Sequence, residues 1–422
     1  MTVRAEWDRL REVLIHRPGV EIDYAMLAPR PFLFERAYRT NVAIREHEKL
    51  ERYLKEAGVR VRLLKSAVVE LFEKSGEFRK TFTEKVIDTV KFEGDKSSSA
   101  LESKNFRKNL EVLDPETMFN ILLLEPTVIL SHQSANEPDY PSINSNLPLA
   151  NLYFMRDQQV SSSNGIYIGR LKKKQRQKEN SITEFILRAL YGKDENFDRI
   201  GAKGYFEGGD FIPSGDFAYI GIGNRSNLEG AMNFMKSQVA DFREFVLVEN
   251  PVYDFMEDMD PDTMVNMHLD TYFNLPGKDI AVTSPELANK AKCSIYHKNG
   301  SEITLSSKTT LSEFLKSKKV DILPLSIAEQ MSYSSNFLTF TNNQILAVDS
   351  KSVLRRLMSE NVFPAKIQRV LEHEIQKTGN EKLFPNSQAV KDYGIDYISA
   401  NLSEITGGYG GAHCMTASVK RV

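Results

Sequence analysis

The distribution of apolar residues along the chain predicts short strands and helices in alternation. Near the beginning, LREVLIHRPG has a strand-like apolar core that ends at a Pro-Gly turn. The next stretch, RTNVAIREHEKLERYLKEAG, places apolar residues at helical spacing and ends at Gly58. VRVRLLK then alternates like a strand, and a strand that follows a helix is typical of an α/β unit.

From about residue 66 to residue 124 the pattern becomes helical. An apolar residue recurs every four positions at Phe78, Phe82, Val86 and Val90. EGDKSSSALESKN interrupts this stripe and predicts a polar loop, after which FRKNLEV and PETMFNILLL are again typical of helices. We therefore expect an inserted helical domain over 66–124, within a catalytic α/β domain formed by 1–65 and 125–422.

Further α/β units follow the stretch NLYFMRD. GIYIGRL, DFAYIGIG, REFVLVEN and QILAVDS predict short strands. NSITEFILRALYG, NLEGAMNFMKSQV and KSVLRRLMSENV predict helices. No repeat of the solenoid type is visible, but charged motifs recur just after apolar runs, where α/β folds place their chemistry.

Charge narrows the classes of partner. Lys and Arg number 55 against 57 Asp and Glu, a net charge of −2. This balance argues against a general nucleic-acid or membrane binder, since both need a basic excess or a basic face. One basic run, RLKKKQRQK over 170–178, is better explained as a solvated surface than as a nucleic-acid patch.

The apolar stretches do not predict a membrane protein. The longest, FNILLLEPTVIL over 119–130, is broken by Glu125 and Pro126 and is too short to span a bilayer. The beginning of the chain lacks an apolar core of signal-peptide length, so we expect a cytoplasmic protein.

The two cysteines are too few for a disulfide framework, and no Cys or His pairs occur at zinc-ligand spacing. Cys293 has no motif around it and is expected to be structural. Cys414 stands in GGYGGAHCMT, which allows two interpretations. It is either a small buried hydrophobe or a reactive thiolate held in a backbone shaped by glycines.

Four short motifs together supply the groups of a catalytic site. They are NLYFMRD, FEGGD, MHLDT and the glycine-rich tail. Their chemical groups are a thiol, an imidazole and four carboxylates, from Cys414, His268, Asp157, Glu207, Asp210 and Asp270. Because carboxylates repel a thiolate, this set makes sense when the substrate itself is cationic. A planar guanidinium with paired N–H donors fits it, which suggests nucleophilic attack on a guanidine.

The chain resembles the guanidino-group-modifying enzymes, and among them the arginine deiminase family. The matching stretches run nearly from end to end in the family's order: LREVLIHRPG, LFERAYRTNVAIREHEKL, NLYFMRD, FEGGDF, IGIGNRSN, MHLDTYFN and GGAHCMT. The resemblance implies a five-bladed α/β propeller with pseudo-fivefold symmetry and an inserted helical domain. It also implies hydrolysis of L-arginine to L-citrulline and ammonia, with no metal and no organic cofactor.

The resemblance also implies residue roles. Cys414 matches the nucleophile, His268 the general acid and base, and Glu207 the carboxylate paired with that histidine. The guanidinium would be gripped by two aspartates, Asp157 and Asp270. Substrate-binding roles fall to Arg225, Arg176 and Asn151, the two arginines through the α-carboxylate.

One position departs from the family's pattern. Where the family often has an arginine in the glycine loop, this chain has Tyr409. This difference weakens the case for free arginine more than the case for deimination, and agmatine or another guanidino compound stays open. The alternatives are an amidinotransferase, which passes the same group to an amine, and a catalytically silent arginine-binding protein. The expected partner is the small guanidino substrate, with no nucleic acid and no membrane, and a homo-oligomer is compatible with the sequence.

Overall fold

Short sheets and helices alternate along the chain in a mixed α/β fold. The structure is a computed structural model, and it describes residues 3–131, 140–145, 147–201, 203–257, 267–378 and 382–422. In this part of the chain, no helix combines the length and apolar character that crossing a membrane requires.

The helices have the following bounds: α1 Val20–Ala25, α2 Thr40–Glu56, α3 Leu64–Lys74, α4 Gly76–Thr89, α5 Lys96–Asn109, α6 Pro115–Leu124, α7 Glu179–Tyr191, α8 Leu228–Lys236, α9 Pro285–Lys290, α10 Leu311–Ser317, α11 Ile327–Gln330, α12 Ser350–Ser359, α13 Ala365–Thr378 and α14 Gln388–Asp392.

The strands have the following bounds: β1 Leu10–Ile15, β2 Arg60–Leu63, β3 Lys91–Gly94, β4 Pro126–Ser131, β5 Tyr140–Ser145, β6 Gln159–Ser162, β7 Gly165–Ile168, β8 Phe197–Arg199, β9 Phe211–Ser214, β10 Phe217–Ile222, β11 Glu244–Glu249, β12 Phe273–Gly277, β13 Ile280–Thr283, β14 Lys292–Asn299, β15 Glu302–Thr310, β16 Asp321–Pro324, β17 Leu338–Thr341, β18 Gln344–Val348, β19 Asp396–Ala400 and β20 Ala417–Arg421.

Five three-stranded units in the described residues share one pairing pattern. Their strands are β6–β7–β8, β9–β10–β11, β12–β13–β16, β17–β18–β19 and β20–β1–β2. In each unit the first two strands are antiparallel and the last two are parallel. The fifth unit joins the two ends of the chain, because β20 pairs with β1. The five units therefore repeat a pattern of strand pairing, although the sequence has no visible repeat of the solenoid type.

Most elements predicted from apolar spacing are confirmed. The stretch LREVLIHRPG forms β1, and four consecutive strand positions, Glu12 to Ile15, are buried. The stripe of α2 buries Ala43, Leu50 and Leu54 on one face. The prediction missed the long hairpin of β14 and β15, which adds to the second unit on the outer side of β11.

The predicted stripe of α4 is buried at Phe78, Phe82 and Val86. Phe78 stacks on Phe82 at 5.7 Å and on Phe185 of α7 at 5.1 Å, measured between ring centroids. The helical segment therefore packs directly on the unit formed by β6, β7 and β8, sharing one hydrophobic cluster with it.

The predicted polar loop EGDKSSSALESKN was wrong over most of its length. It contains the end of β3 and much of α5, which begins at Lys96. Asp95 caps this helix, because its carboxylate accepts hydrogen bonds from the backbone N–H groups of Ser97 and Ser98. Three consecutive serines hid the helix, since serine favours caps and turns on average.

A polar residue stands just before the first strand of every unit. Asp157 precedes β6, Glu207 precedes β9, Asp270 precedes β12, Asn336 precedes β17 and Cys414 precedes β20. Because the units repeat one pairing pattern, these five side chains occupy equivalent places in it.

Candidate active site

Cys414 lies in a turn between a short 3-10 helix, Ile405–Gly408, and β20. Its side chain is buried, with Sγ 3.0 Å from Asn336 Nδ2 and 3.3 Å from Asp270 Oδ2. Burial, followed by the charges of Asp270 and Asp157, raises the pKa of the Cys414 thiol well above its ordinary value. In the free protein the group is therefore a thiol at neutral pH.

Close packing explains the glycines around this turn. A Cβ at Gly408 would lie 2.0 Å from the hydroxyl of Tyr153, and one at Gly410 would lie 2.4 Å from the ring of Phe154. The residue with left-handed backbone is Tyr409 instead, with φ of 71°. The glycines are therefore needed because they allow the backbone to approach two aromatic side chains closely, and not because of a left-handed conformation.

Asn336 was missed by the sequence reasoning. Its Oδ1 accepts hydrogen bonds from the backbone N–H groups of Gly411, at 2.9 Å, and Cys414, at 3.1 Å. Its Nδ2 donates to the backbone carbonyl of Asp270, at 3.1 Å, and to Cys414 Sγ. One amide therefore holds the cysteine turn against the aspartate segment, and it also contacts the sulfur.

His268 lies between two carboxylates. Its Nε2 is 2.8 Å from Glu207 Oε2, and its Nδ1 is 3.7 Å from Asp157 Oδ1. Gly209 leaves room for the ring, because a Cβ at that position would lie 2.7 Å from His268 Nδ1. The second glycine of FEGGD therefore allows the histidine ring to pack in this place.

Charge keeps His268 protonated. Burial alone would lower its pKa, but Asp157, the hydrogen bond to Glu207 and the charge of Asp210 together raise the pKa of His268 to about 9. Glu207 is affected in the opposite direction. Burial would raise its pKa, but the hydrogen bond with His268 and the charges of His268 and Arg225 lower the pKa of Glu207 to about 2. The pair is an imidazolium and a carboxylate at neutral pH.

Asp210 connects two segments of the site by hydrogen bonds. Its Oδ1 accepts hydrogen bonds from the backbone N–H of Leu269, at 2.9 Å, and from Asn250 Nδ2, at 3.1 Å. Burial raises the pKa of Asp210 to about 6. This carboxyl joins the segment before β9 to the segment before β12.

Arg176 binds carboxylates of the protein itself. Its Nη1 lies 2.6 Å from Asp157 Oδ2 and its Nη2 lies 2.9 Å from Glu179 Oε2. The side chain is 3% exposed, so bulk solvent screens these ion pairs little. Arg176 therefore holds Asp157 Oδ2 and does not contact Asp157 Oδ1.

Each of the two aspartates near the thiol keeps one oxygen without a hydrogen bond. Among the described residues, neither Asp157 Oδ1 nor Asp270 Oδ1 has a hydrogen bond, although both are buried. A buried carboxylate oxygen without a donor is costly, so such atoms point to a group that supplies donors.

The second oxygen of Asp270 is occupied. It accepts a hydrogen bond from His413 Nδ1 at 2.7 Å, and the other ring nitrogen of His413 lies 3.3 Å from Glu6 Oε1. Arg421 Nη2 lies 2.7 Å from the same Glu6 oxygen. Burial would raise the pKa of Asp270, but the contacts with His413 lower it. Asp270 is therefore an anion, and Glu6 was a further residue that the sequence reasoning missed.

A small cavity opens beside these groups. Cys414, His268, Asp157 and Arg176 line it together with Asn151, Arg225 and Tyr409. Its volume is about 10 Å³, which is room for one water molecule. Asn151 also donates from Nδ2 to the backbone carbonyl of Phe32, at 2.7 Å. All eight residues expected from the sequence are therefore gathered at one place, with Asp270 held against Cys414 and Glu207 against His268.

Three of these groups have the arrangement of metal ligands. Asp157, Glu207 and His268 offer ligand atoms that lie within 4.8 Å of one another. Two guanidinium groups already balance this charge, since Arg176 pairs with Asp157 and Arg225 Nη1 lies 4.0 Å from Glu207 Oε2. The donor set is therefore explained by cationic side chains of the protein.

The other cysteine has different surroundings. Cys293 is buried on β14, and burial raises its pKa to about 12. The charge of Glu249 adds to this rise in pKa. Its setting agrees with the expectation that it is structural.

Comparison with known proteins identifies relatives along the whole chain. The family model of arginine deiminase matches residues 30–421. The arginine deiminase of Halobacterium salinarum is 23% identical, over 99% of this chain and 96% of that protein. Arginine deiminase 1 of Staphylococcus epidermidis is 27% identical, over 99% of this chain and 98% of that protein.

Solved structures share the fold. An amidinotransferase from Microseira wollei in the saxitoxin biosynthetic pathway has a TM-score of 0.53 at 13% identity, covering 100% of this chain and 97% of its own. DDAH from Pseudomonas aeruginosa in complex with citrulline has a TM-score of 0.50 at 15% identity, covering 97% and 99%. At this identity the likeness concerns the fold alone.

We predict that replacing Glu207 by Gln lowers the pKa of His268, because the neutral amide no longer favours the imidazolium. The pKa of His268 should fall from about 9 toward its ordinary value, by about 1–3 pH units. The measurement is an NMR titration of the histidine ring protons. Glu244→Gln, which lies beside the exposed His297, is the control and should leave His268 unchanged. An unaltered His268 titration in Glu207→Gln would contradict the pairing.

Proposed function

This chain belongs to the arginine deiminase family of guanidino C–N hydrolases, and on that premise we propose that it converts L-arginine to L-citrulline and ammonia through Cys414. The observation that carries the proposal is the pair of buried oxygens without a hydrogen bond, Asp157 Oδ1 and Asp270 Oδ1, beside the thiol. A guanidinium would supply the missing donors, since it presents N–H groups in a planar fork.

In this proposal Asp157 and Asp270 grip the guanidinium from two sides. Arg176 and His413 hold the second oxygen of each aspartate and so fix the direction of the free one. Because Asp270 also touches Cys414 Sγ, the carbon of a guanidinium held there would lie above the sulfur.

The bound cation activates the nucleophile. In the free protein, burial and two carboxylates keep Cys414 protonated. A guanidinium between the same carboxylates offsets their charge and lowers the cost of forming the thiolate, whose proton leaves to solvent. Substrate and nucleophile therefore activate each other.

The first half of the reaction forms a covalent intermediate. The Cys414 thiolate attacks the guanidinium carbon and a C–S bond forms. His268, held as an imidazolium by Glu207, donates its proton to the departing nitrogen. The C–N bond breaks, ammonia leaves, and an S-alkylthiouronium cation remains on Cys414.

The second half releases the product. His268, now neutral, takes a proton from water as the water oxygen attacks the thiouronium carbon. The C–S bond breaks as the carbonyl forms, and the hydroxyl proton passes to the departing sulfur. Citrulline is released and the thiol of Cys414 is regenerated. The steps as written use neither a metal nor an organic cofactor.

The rest of the substrate would extend toward the other cavity residues. Arg225 is proposed to bind the α-carboxylate, with Asn151 and Arg176 as further contacts. Arg176 already binds two carboxylates of the protein, so Arg225 is the main candidate. The cavity has room for only one water molecule, so lining residues such as Tyr409 have to shift when a substrate enters.

The fold proposal follows from the repeated pairing. We propose that the five units are the blades of a propeller, and that the polar residues before their first strands meet near its axis. In this arrangement 1–65 and 125–422 form the catalytic domain, and 66–124 are the inserted helical domain. The common pairing pattern and the meeting of the site residues in space support it.

We predict that Cys414→Ala loses citrulline formation completely while staying folded, because only the nucleophile is removed. Purified protein is incubated with L-arginine alone, and citrulline and ammonia are both quantified. Cys293→Ala serves as the matched control and should retain activity. The proposal is contradicted if folded Cys414→Ala produces citrulline, or if the unchanged protein produces no citrulline.

We predict that Arg225→Ala narrows the preference for L-arginine over agmatine, which lacks the α-carboxylate. Losing a charge-assisted contact should lower kcat/KM for arginine about ten- to more than a hundredfold. Activity on agmatine should change far less. The test compares kcat/KM for both compounds in both proteins, and an unchanged ratio would show that Arg225 is not the anchor.

A further inference from the structure

A second cleft lies on the outer side of the segment that carries Arg176. Its volume is about 1010 Å³, and it is bounded by the helical segment on one side and by β7, α7 and β8 on the other. It takes in Gln177, Asn180 and Ser181, the neighbours of Arg176 and Glu179 in the chain. Arg176 contacts Asp157 and Glu179 at the candidate active site, while these three neighbours line the cleft.

The charge of the cleft is strongly positive. Its lining includes four cations, Lys85, Arg170, Arg188 and Arg199, against one carboxylate, Glu184. Four cations and one anion give a net charge of +3, in a chain whose overall charge is −2. Cations gathered in this way in one concave place focus the field on an anion.

Aromatic rings hold three of the cations. The ammonium of Lys85 lies 5.6 Å from the centre of the Phe185 ring. The guanidinium carbon of Arg170 lies 5.1 Å from the Tyr205 ring, and that of Arg188 lies 4.7 Å from the Phe197 ring. Stacking of this kind orients a cation without cancelling its charge.

The one carboxylate is already shared. Glu184 accepts a hydrogen bond from Arg188 Nε at 2.9 Å and lies 3.5 Å from Arg199 Nη1. Within the described ranges no carboxylate reaches ion-pair distance of Lys85, which is half-buried and whose pKa is lowered by burial. The cleft therefore holds more positive charge than its own acidic side chain balances.

We propose that this cleft binds a small anion that carries phosphate groups. Arg188 uses Nε and Arg199 uses Nη1 to contact Glu184, and the other N–H groups of the two guanidiniums can donate to phosphate oxygens. The volume exceeds what a single carboxylate would fill. Few apolar side chains line the cleft, Phe185 and Ile200 among them, which favours a polar ligand over an aromatic one. Asn180 and Ser181 lie in the first turn of α7, where the backbone N–H groups of the helix carry positive partial charge.

The test is calorimetric titration of the full chain with pyrophosphate and with ATP, at constant ionic strength. Saturable binding should appear and should weaken as salt is added. Lys85→Gln and Arg199→Gln should each raise Kd about tenfold or more, since each removes a charge-assisted contact. The matched control is Lys80→Gln, an exposed lysine elsewhere on α4, which should leave Kd unchanged.

Two further arms locate the anion and identify its class. In Cys414→Ala, saturating L-arginine should leave pyrophosphate binding unchanged, whereas displacement would place the anion at Arg225 and overturn the proposal. Citrate should bind much more weakly than pyrophosphate, and equal binding would refute the phosphate class. The proposal also fails if neither phosphate compound binds, if Lys80→Gln has the same effect as Lys85→Gln, or if only an oligonucleotide binds.

Discussion

A buried thiol that lies beside carboxylates is the constraint on which the rest of the site depends. Cys414 Sγ lies 3.3 Å from Asp270, and burial with nearby negative charge holds it protonated. The proposed substrate favours the thiolate, because its guanidinium cation lies between the carboxylates whose charge opposes ionisation. Recognition and reactivity are then one event, since a neutral molecule in the same place would leave the thiol protonated.

The repeated units of the fold bring the polar residues of the site together. Each unit places one polar residue before its first strand, and each of these residues comes from a different part of the chain: Asp157, Glu207, Asp270, Asn336 and Cys414. The strands thereby hold Asp270 and Cys414, which are 144 residues apart in sequence, within 3.3 Å of each other. The five equivalent positions carry four different residue types, Asp, Glu, Asn and Cys, so the units keep a common geometry without keeping a common sequence.

The sequence allowed the strands and helices with clear apolar spacing to be predicted, such as β1 and α2, and motif resemblance supplied the candidate site. Glu6 and Asn336 could not be found this way, because neither stands in a motif and their partners are distant in the chain. Asn336 does occupy the place before β17 that the other units fill with site residues, but that place is legible only once the pairing of the strands is known. The polar helix α5 escaped for a related reason, since its cap and its packing outweigh the weak preference of its serines.

The central claim is that burial together with carboxylate charge, chiefly the charge of Asp270, keeps Cys414 from ionising. The most direct measurement is the rate of alkylation of Cys414 by iodoacetamide as a function of pH, in a Cys293→Ser background. The unchanged site should show a thiol pKa well above the ordinary value, and Asp270→Asn should lower that pKa even though it cripples turnover. A thiol pKa that is ordinary in the unchanged protein, or that stays the same or rises in Asp270→Asn, would contradict this account.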